Sequence, residues 1–337
     1  MTRFGGVIQD GGIGGGTGGG LTLAATATGT ERLAGVNTFT GPTTIDGGTL
    51  IITRTGALAG AVNNSSSFMN FGAVAGLVTN NAAGFAENAG ALEGGVVNNG
   101  TFANLWNGVV SGGLTNTGTA NAGGGQINGG IDNRSPGVFT VNGAVSSNGA
   151  FLNETGATLA VNSGQYTITG GILTNSGAVN VASGATLNAA AMGIDNLGSG
   201  VGAGGPGVIT NYGTIDDDLN NAGTVLNYGA YNANVDSNIG SITNFASGTW
   251  TGNAVNTGGT IENDGLWAGS LTNMRGTLTN DGKIVGDVTA AGGTVNSFTP
   301  TSAIVGNVTL PGNSCGHERA RLDHRQCRRD GGLERPL

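Results

Sequence analysis

ITNYGTI (209–215), VLNYGAY (225–231), ITNFASG (242–248), IENDGLW (261–267) and LTNDGKI (278–284) repeat one short phrase: an aliphatic residue, a spacer, Asn, and usually Gly two places later. The same phrase recurs earlier, as in LTNTGTA (114–120) and LTNSGAV (173–179). One series of its asparagines runs Asn63, Asn80, Asn98, Asn116, Asn133, Asn153, Asn175, Asn196, Asn211, Asn227, Asn244, Asn263, Asn280 and Asn296, at intervals of 15 to 22 residues. The residue two places before is apolar in thirteen of the fourteen, Thr294 being the exception, and Gly lies two places after in eight. A second register, Asn221, Asn238, Asn256 and Asn273, keeps gaps of 17, 18 and 17.

A period of this size without helical patterning reads as stacked β-coils. One coil is too thin to bury its own aliphatic residue, whereas stacking sets Leu on Leu inside and closes backbone hydrogen bonds between turns. The repeated Asn is expected at a corner, in the left-handed conformation, with its amide bonded to the Asn one turn above and below. Gly beside it is expected to supply positive φ without steric cost. Runs such as TLIIT, GVFTVNG, GATLAVNS and QYTITGGIL read as strands broken at Gly or Asn, and VGAGGPGV (201–208) reads as a loop. The fold class is all-β, a parallel β-helix (solenoid) with rungs of about 18 residues. Three segments follow: residues 1–60 with the first rungs, 61–312 with the asparagine ladder, and a basic tail at 313–337.

Composition narrows the classes. Gly is 69 of 337 residues with 6 Pro and no G-X-Y period, which excludes collagen. Charged residues are 9%, too few for an acidic disordered chain. The net charge is −8, and six of the 12 basic residues fall in the last 25 positions, so the body offers no phosphate-neutralising face and no nucleic acid partner is expected. No apolar run is long enough for a transmembrane helix. MTRFGGVIQDGG at the start lacks the apolar core of a secretory signal. The expectation is that this chain carries no export signal of its own, and either stays inside or is an internal piece of something longer. The tail NSCGHERARLDHRQCRRDGGLERPL holds both Cys and both His and drops the ladder. It reads as out-of-frame sequence, or else as a basic tail in its own right.

FGGVIQDGG at the start and LAGVNTFTGPTTIDGGTL at 33–50 form the most specific stretch. Phe4, Gly6, Ile8, Asp10 and Gly11, then Leu33, Gly35, Asn37, Thr38, Phe39, Gly41, Thr43, Thr44, Ile45, Gly48, Thr49 and Leu50 fit F-x-G-x-I-x-D-G followed by L-x-G-x-N-T-[YF]-x-G-x-T-x-[IV]-x-x-G-x-L. This resembles the autotransporter-associated β-strand repeat of passenger domains in bacterial type V secretion. The pattern departs at Glu31-Arg32, where such repeats carry an apolar pair. The resemblance implies a right-handed parallel β-helix, exported through the outer membrane and displayed at the cell surface, tethered in its parent by a barrel that this chain lacks.

Chemistry is thinly represented. Cys315, His317, His324 and Cys327 could form a zinc site by residue type, but C-x-H-x6-H-x2-C is not finger spacing. Asp216, Asp217 and Asp218 are the one acidic triplet; carboxylates of this kind bind Ca²⁺ or serve acid/base chemistry only with supporting groups, and a solvated turn explains them better. No nonapeptide calcium series appears, and a nucleophilic triad fails because both His lie in the tail. Trp106, Trp250, Trp267, Tyr212 and Tyr228 are expected to stack along one face or cap a turn, with a carbohydrate-binding stripe as the alternative. No catalytic, cofactor or metal residue is assigned. The expected function is a non-enzymatic stalk or adhesin making weak multivalent contact with host or matrix protein or glycan. The alternatives are a secreted β-helical polysaccharide-acting enzyme and a non-functional gene fragment.

Overall fold

A computed structural model of the chain describes residues 1–11, 14–189, 192–199, 205–297 and 299–310. The proposed zinc residues of the tail therefore lie outside the described residues. So does much of the 201–208 loop. The chain divides into two units, Met1–Ala178 with Ala185–Met192, and Val179–Gly184 with Gly193–Leu337. Each unit is a parallel β-solenoid, and no helix occurs among the described residues.

A turn consists of three short strands. In the first unit Val78–Asn80, Phe85–Asn88 and Ala91–Leu92 make one turn, and Val96–Asn98, Thr101–Asn104 and Val109–Val110 make the next. Every strand pairs in parallel with its equivalent one turn on, as Val78↔Val96, Thr79↔Val97 and Asn80↔Asn98 do. Parallel in-register stacking places like on like, so the core is a set of columns rather than a mixed cluster. One column in the first unit runs Val78, Val96, Leu114, Ile131, Phe151, Leu173. In the second unit the equivalent runs Ile194, Leu219, Val235, Ala254, Leu271, Val288. All of these side chains are buried.

Two positions per turn carry the asparagines: the second register, Asn221 to Asn273, is one column as read, and the first series is corrected because it runs across two. In the first unit one column links Asn64, Asn80, Asn98, Asn116, Asn133, Asn153 and Asn175 through Nδ2–Oδ1 hydrogen bonds of 2.7 to 2.9 Å. A second, on the neighbouring strand, links Asn70, Asn88 and Asn104. In the second unit Asn196, Asn221, Asn238, Asn256 and Asn273 form one column. Asn211, Asn227, Asn244, Asn263 and Asn280 form the other. The step from Asn196 to Asn211 thus crosses between columns; the partner of Asn196 is Asn221, 25 residues on. Asn63 and Asn296 belong to neither column. Asn63 pairs with Thr44 and Asn296 with Thr279, both spacer positions. The Thr294 exception disappears with that correction, because the apolar residue beside Asn296 is Val295.

The conformational expectation is also corrected. Trp106 is the one non-glycine residue with positive φ among the described residues, so the ladder asparagines are not left-handed. Nor is φ positive at Gly100, Gly118, Gly177, Gly213, Gly229, Gly265 or Gly282. Glycine is needed there for close approach. A Cβ at Gly282 would meet the carbonyl oxygen of Gly265, and one at Gly265 that of Gly248. Those carbonyls accept the inter-turn bonds, for example from Lys283 N to Gly265 O at 2.8 Å.

Where every turn repeats one set of nearest-neighbour contacts, removing a turn shortens the stack without altering the contacts of the remaining turns. Deleting residues 81–98, one turn of 18 residues by the Asn80–Asn98 step, joins Asn80 to Asn99 in register. The variant is expected to keep a β-type circular dichroism spectrum and a cooperative melt. Global collapse would contradict nearest-neighbour stacking.

Candidate functional site

The inward columns are too well shielded to bind a ligand. Asn98, Asn116, Asn175, Asn211, Asn227, Asn244, Asn263 and Asn280 are all 0% exposed. A buried primary amide costs several kcal/mol unless its donors and acceptor are used. Here Asn98 Nδ2 donates to Asn116 Oδ1 at 2.7 Å and to Thr119 O at 3.0 Å. On the acceptor side, Gly213 N and Gly177 N donate to Asn211 Oδ1 and Asn175 Oδ1. Each amide therefore ties two turns together and closes its own corner. Replacing Asn244 with Ala removes the Oδ1 that accepts from Asn227 Nδ2, which keeps only the Gly229 and Thr249 carbonyls, and the Nδ2 that donates to Asn263 Oδ1. A loss of roughly 1–3 kcal/mol is expected in chemical denaturation. The exposed Asn220→Ala serves as control, expected within about 0.5 kcal/mol of the parent.

The residues of the repeat pattern cluster in the first turns of the first unit. Phe4 pairs with Leu33, and a Cβ at Gly6 would strike the Phe4 ring. Ile8 N donates to Asn37 Oδ1 at 3.0 Å, and Thr38 N donates to Ile8 O at 2.9 Å. Asp10 accepts from Thr40 Oγ1 at 2.6 Å, Thr40 N at 2.9 Å and Gly19 N at 2.7 Å, pinning the glycine-rich stretch to the next turn. The Thr40 hydroxyl, first among these donors, holds the Asp10 carboxyl below its ordinary pKa. Gly41 N donates to Gly19 O, and Thr44 lies between Thr22 and Asn63. Phe39 and Leu50 fill the core, and Gly48 has φ +66°. Each of these contacts joins one turn to another or closes a corner.

The aromatic residues, expected to stack along one face or cap a turn, are divided among three settings. Tyr231, Trp250 and Trp267 form an internal stack with ring centroids 4.1 and 4.6 Å apart. Its indole nitrogens donate to Ala233 O and Gly252 O at 3.0 Å. Tyr212, Tyr228 and Phe245 form a second, outward stack at 4.7 and 4.0 Å with planes within 10°. Trp106 is 64% exposed at the turn closed by Gly108 N and Leu105 O. In the outward stack Tyr228 is sandwiched between the other two rings, and Tyr212 at one end is 53% exposed.

The acidic triplet is built into the wall. Asp216 Oδ1 accepts from Asn232 Nδ2 at 2.8 Å, and Asp218 Oδ1 accepts from Asn234 N at 2.9 Å. The latter bond starts a column that sequence reasoning missed. Asn234 Oδ1 accepts from Asn253 N, Asn253 Oδ1 from Ser270 N, Ser270 Oγ from Asp287 N, and Asp287 Oδ1 from Asn307 N. Its signal was present as Gly252-Asn253, Gly269-Ser270, Gly286-Asp287 and Gly306-Asn307. Among the described residues no group of three or more His, Cys, Asp or Glu is placed to hold a metal ion.

Below the outward aromatic stack, the residue after the ladder asparagine becomes Asp264 and then Asp281. Partial burial, followed by the charge of Asp281, raises the Asp264 carboxyl above its ordinary pKa. A raised folded-state pKa favours folding below the unfolded value, and that contribution is lost as pH rises through the folded value. Asp264→Asn is therefore expected to melt slightly above the parent at pH 7, by no more than about 0.5 kcal/mol for so exposed a group. The difference should vanish near pH 3, about where a carboxyl is protonated in either state. A gap that widens on acidification would reverse the assignment.

No family model matches the chain, and no curated protein matches it. Among solved structures, the crystal structure of the TibC-catalyzed hyper-glycosylated TibA55-350 fragment is similar, at 16% identity over 92% of this chain and 100% of that chain, with a TM-score of 0.29.

Proposed function

We propose that the chain is a surface-displayed passenger segment of an autotransporter, acting as a structural stalk or adhesin without catalytic activity. The observation that carries this reading is the repeat pattern at 4–50 folded as the opening turns of a parallel solenoid, with Asp10 and Asn37 clamping successive turns. Buried amide columns hold such turns without disulfides, which suits a polypeptide that folds after crossing a membrane turn by turn. Outward positions repeat once per turn, so any weak contact is repeated along a face and gains by multivalency. The polysaccharide-acting alternative calls for carboxylates facing a substrate beside basic groups. Asp216 and Asp218 are instead bonded to the next turn.

Protease shaving of intact cells that express the chain in its native setting tests the reading. The antigen is expected to disappear from intact cells while a cytosolic control survives. Antigen that stays protected until lysis overturns it.

A further inference from the structure

Arg32 and Arg54 line an open recess in the first unit together with Thr53, Thr55 and Phe71. We propose that this recess is a binding site for the carboxylate or sulfate of an acidic glycan.

Residues 1–310 carry six basic side chains against sixteen acidic ones, and two of the six, Arg32 and Arg54, line this recess, with Arg3 on the strand beside Arg32. Arg3 pairs directly with Arg32 on adjacent strands. Like charges set directly opposite one another on neighbouring strands are destabilising, so the pairing has no structural rationale. Among the described residues the ion pairs are those of Arg134 with Asp132 and Glu154. Among the described residues Arg32 has one side-chain hydrogen-bond partner, the Met1 sulfur at 3.8 Å. The nearest carboxylate in sequence, Glu31, lies in register with the buried Leu50, whereas Arg32 lies in register with Ile51. Strand alternation therefore puts Glu31 and Arg32 on opposite faces. The Glu31-Arg32 departure from the repeat pattern thus places a cation on the outer wall.

The recess is shaped for more than a bare ion. Arg54 stands at the apex of the turn closed by Gly56 N and Thr53 O at 2.8 Å. Thr55 Oγ1 donates to Ala34 O at 3.0 Å, which fixes that side of the turn. Guanidinium forks match planar carboxylates and sulfates in paired hydrogen bonds. The Thr hydroxyls suit sugar hydroxyls, and the half-buried Phe71 ring offers an apolar wall to a pyranose. The choice of a glycan-borne anion over a free one rests on the surface-adhesin reading; the anion site itself does not.

Calorimetric titration of the purified full-length chain with tetragalacturonate, maltotetraose and inorganic sulfate tests the proposal. Tetragalacturonate is expected to bind, more weakly as salt rises, while maltotetraose does not. Arg32→Gln with Arg54→Gln should weaken binding by about tenfold or more. Phe71→Leu should weaken the sugar and leave sulfate unchanged. Circular dichroism of each variant guards against misfolding, and Arg32→Lys with Arg54→Lys, which keeps the charge, should retain part of the affinity. Sulfate binding as tight as the tetrasaccharide overturns the glycan assignment. Binding of neither, or binding indifferent to both arginines, overturns the site. The measurement is made in solution, so its failure is separable from a failure of surface display.

Discussion

A buried amide must have its hydrogen bonds made, and in this chain stacking is what makes them. An isolated turn would leave the Asn side chain half satisfied in an apolar interior, at a cost comparable to a large fraction of a domain's stability. A neighbouring turn supplies the missing Oδ1 at 2.7 to 2.8 Å. The same contact demands that successive turns share one register, because a slip of one residue would turn the amide outward and its neighbours inward. Asparagine here sets alignment, and the aliphatic columns beside it supply the burial.

That division of labour explains which positions tolerate change. The second column of the first unit passes from Asn104 to Ala122 and Val141 without losing its inward direction. An aliphatic side chain satisfies the position by having nothing to satisfy. Near Asn238 an additional residue is absorbed as a bulge, and Asn238 still faces Asn256. Glycine at the corners is less replaceable, since backbone from the preceding turn occupies the space where a Cβ would lie.

Most of the architecture was readable from the period, since a repeat of aliphatic-x-Asn-x-Gly has few other solutions. Its bookkeeping was not. Two strands per turn end in the same phrase, so the first series passes from Asn196 to Asn211 although these stand in different columns, while the second register beginning at Asn221 keeps to one. Nothing local to either residue separates them; only pairing does. Positive φ was inferred from Asn and Gly because those residues are common in turns, yet the corner needed small volume and a carboxamide. Trp250 and Tyr228 both lie near ladder motifs, but one faces inward and the other outward, a matter of strand phase on either side of a corner. The outer Asp218–Asn307 column escaped notice because Asn, Asp and Ser alternate in it; the shared feature is a side-chain oxygen accepting from the next backbone N–H.

In both units every ladder amide donates toward the turn that follows it in sequence, as Asn64 to Asn80 and Asn211 to Asn227. A line of aligned amide dipoles polarises along its length, so the two ends of a column are chemically unlike. The last donors of the second unit are taken up inside the stack, Asn273 Nδ2 by Thr294 O and Asn280 Nδ2 by Ala303 O. Each column thereby carries a direction, set by the order in which the turns follow one another in the chain.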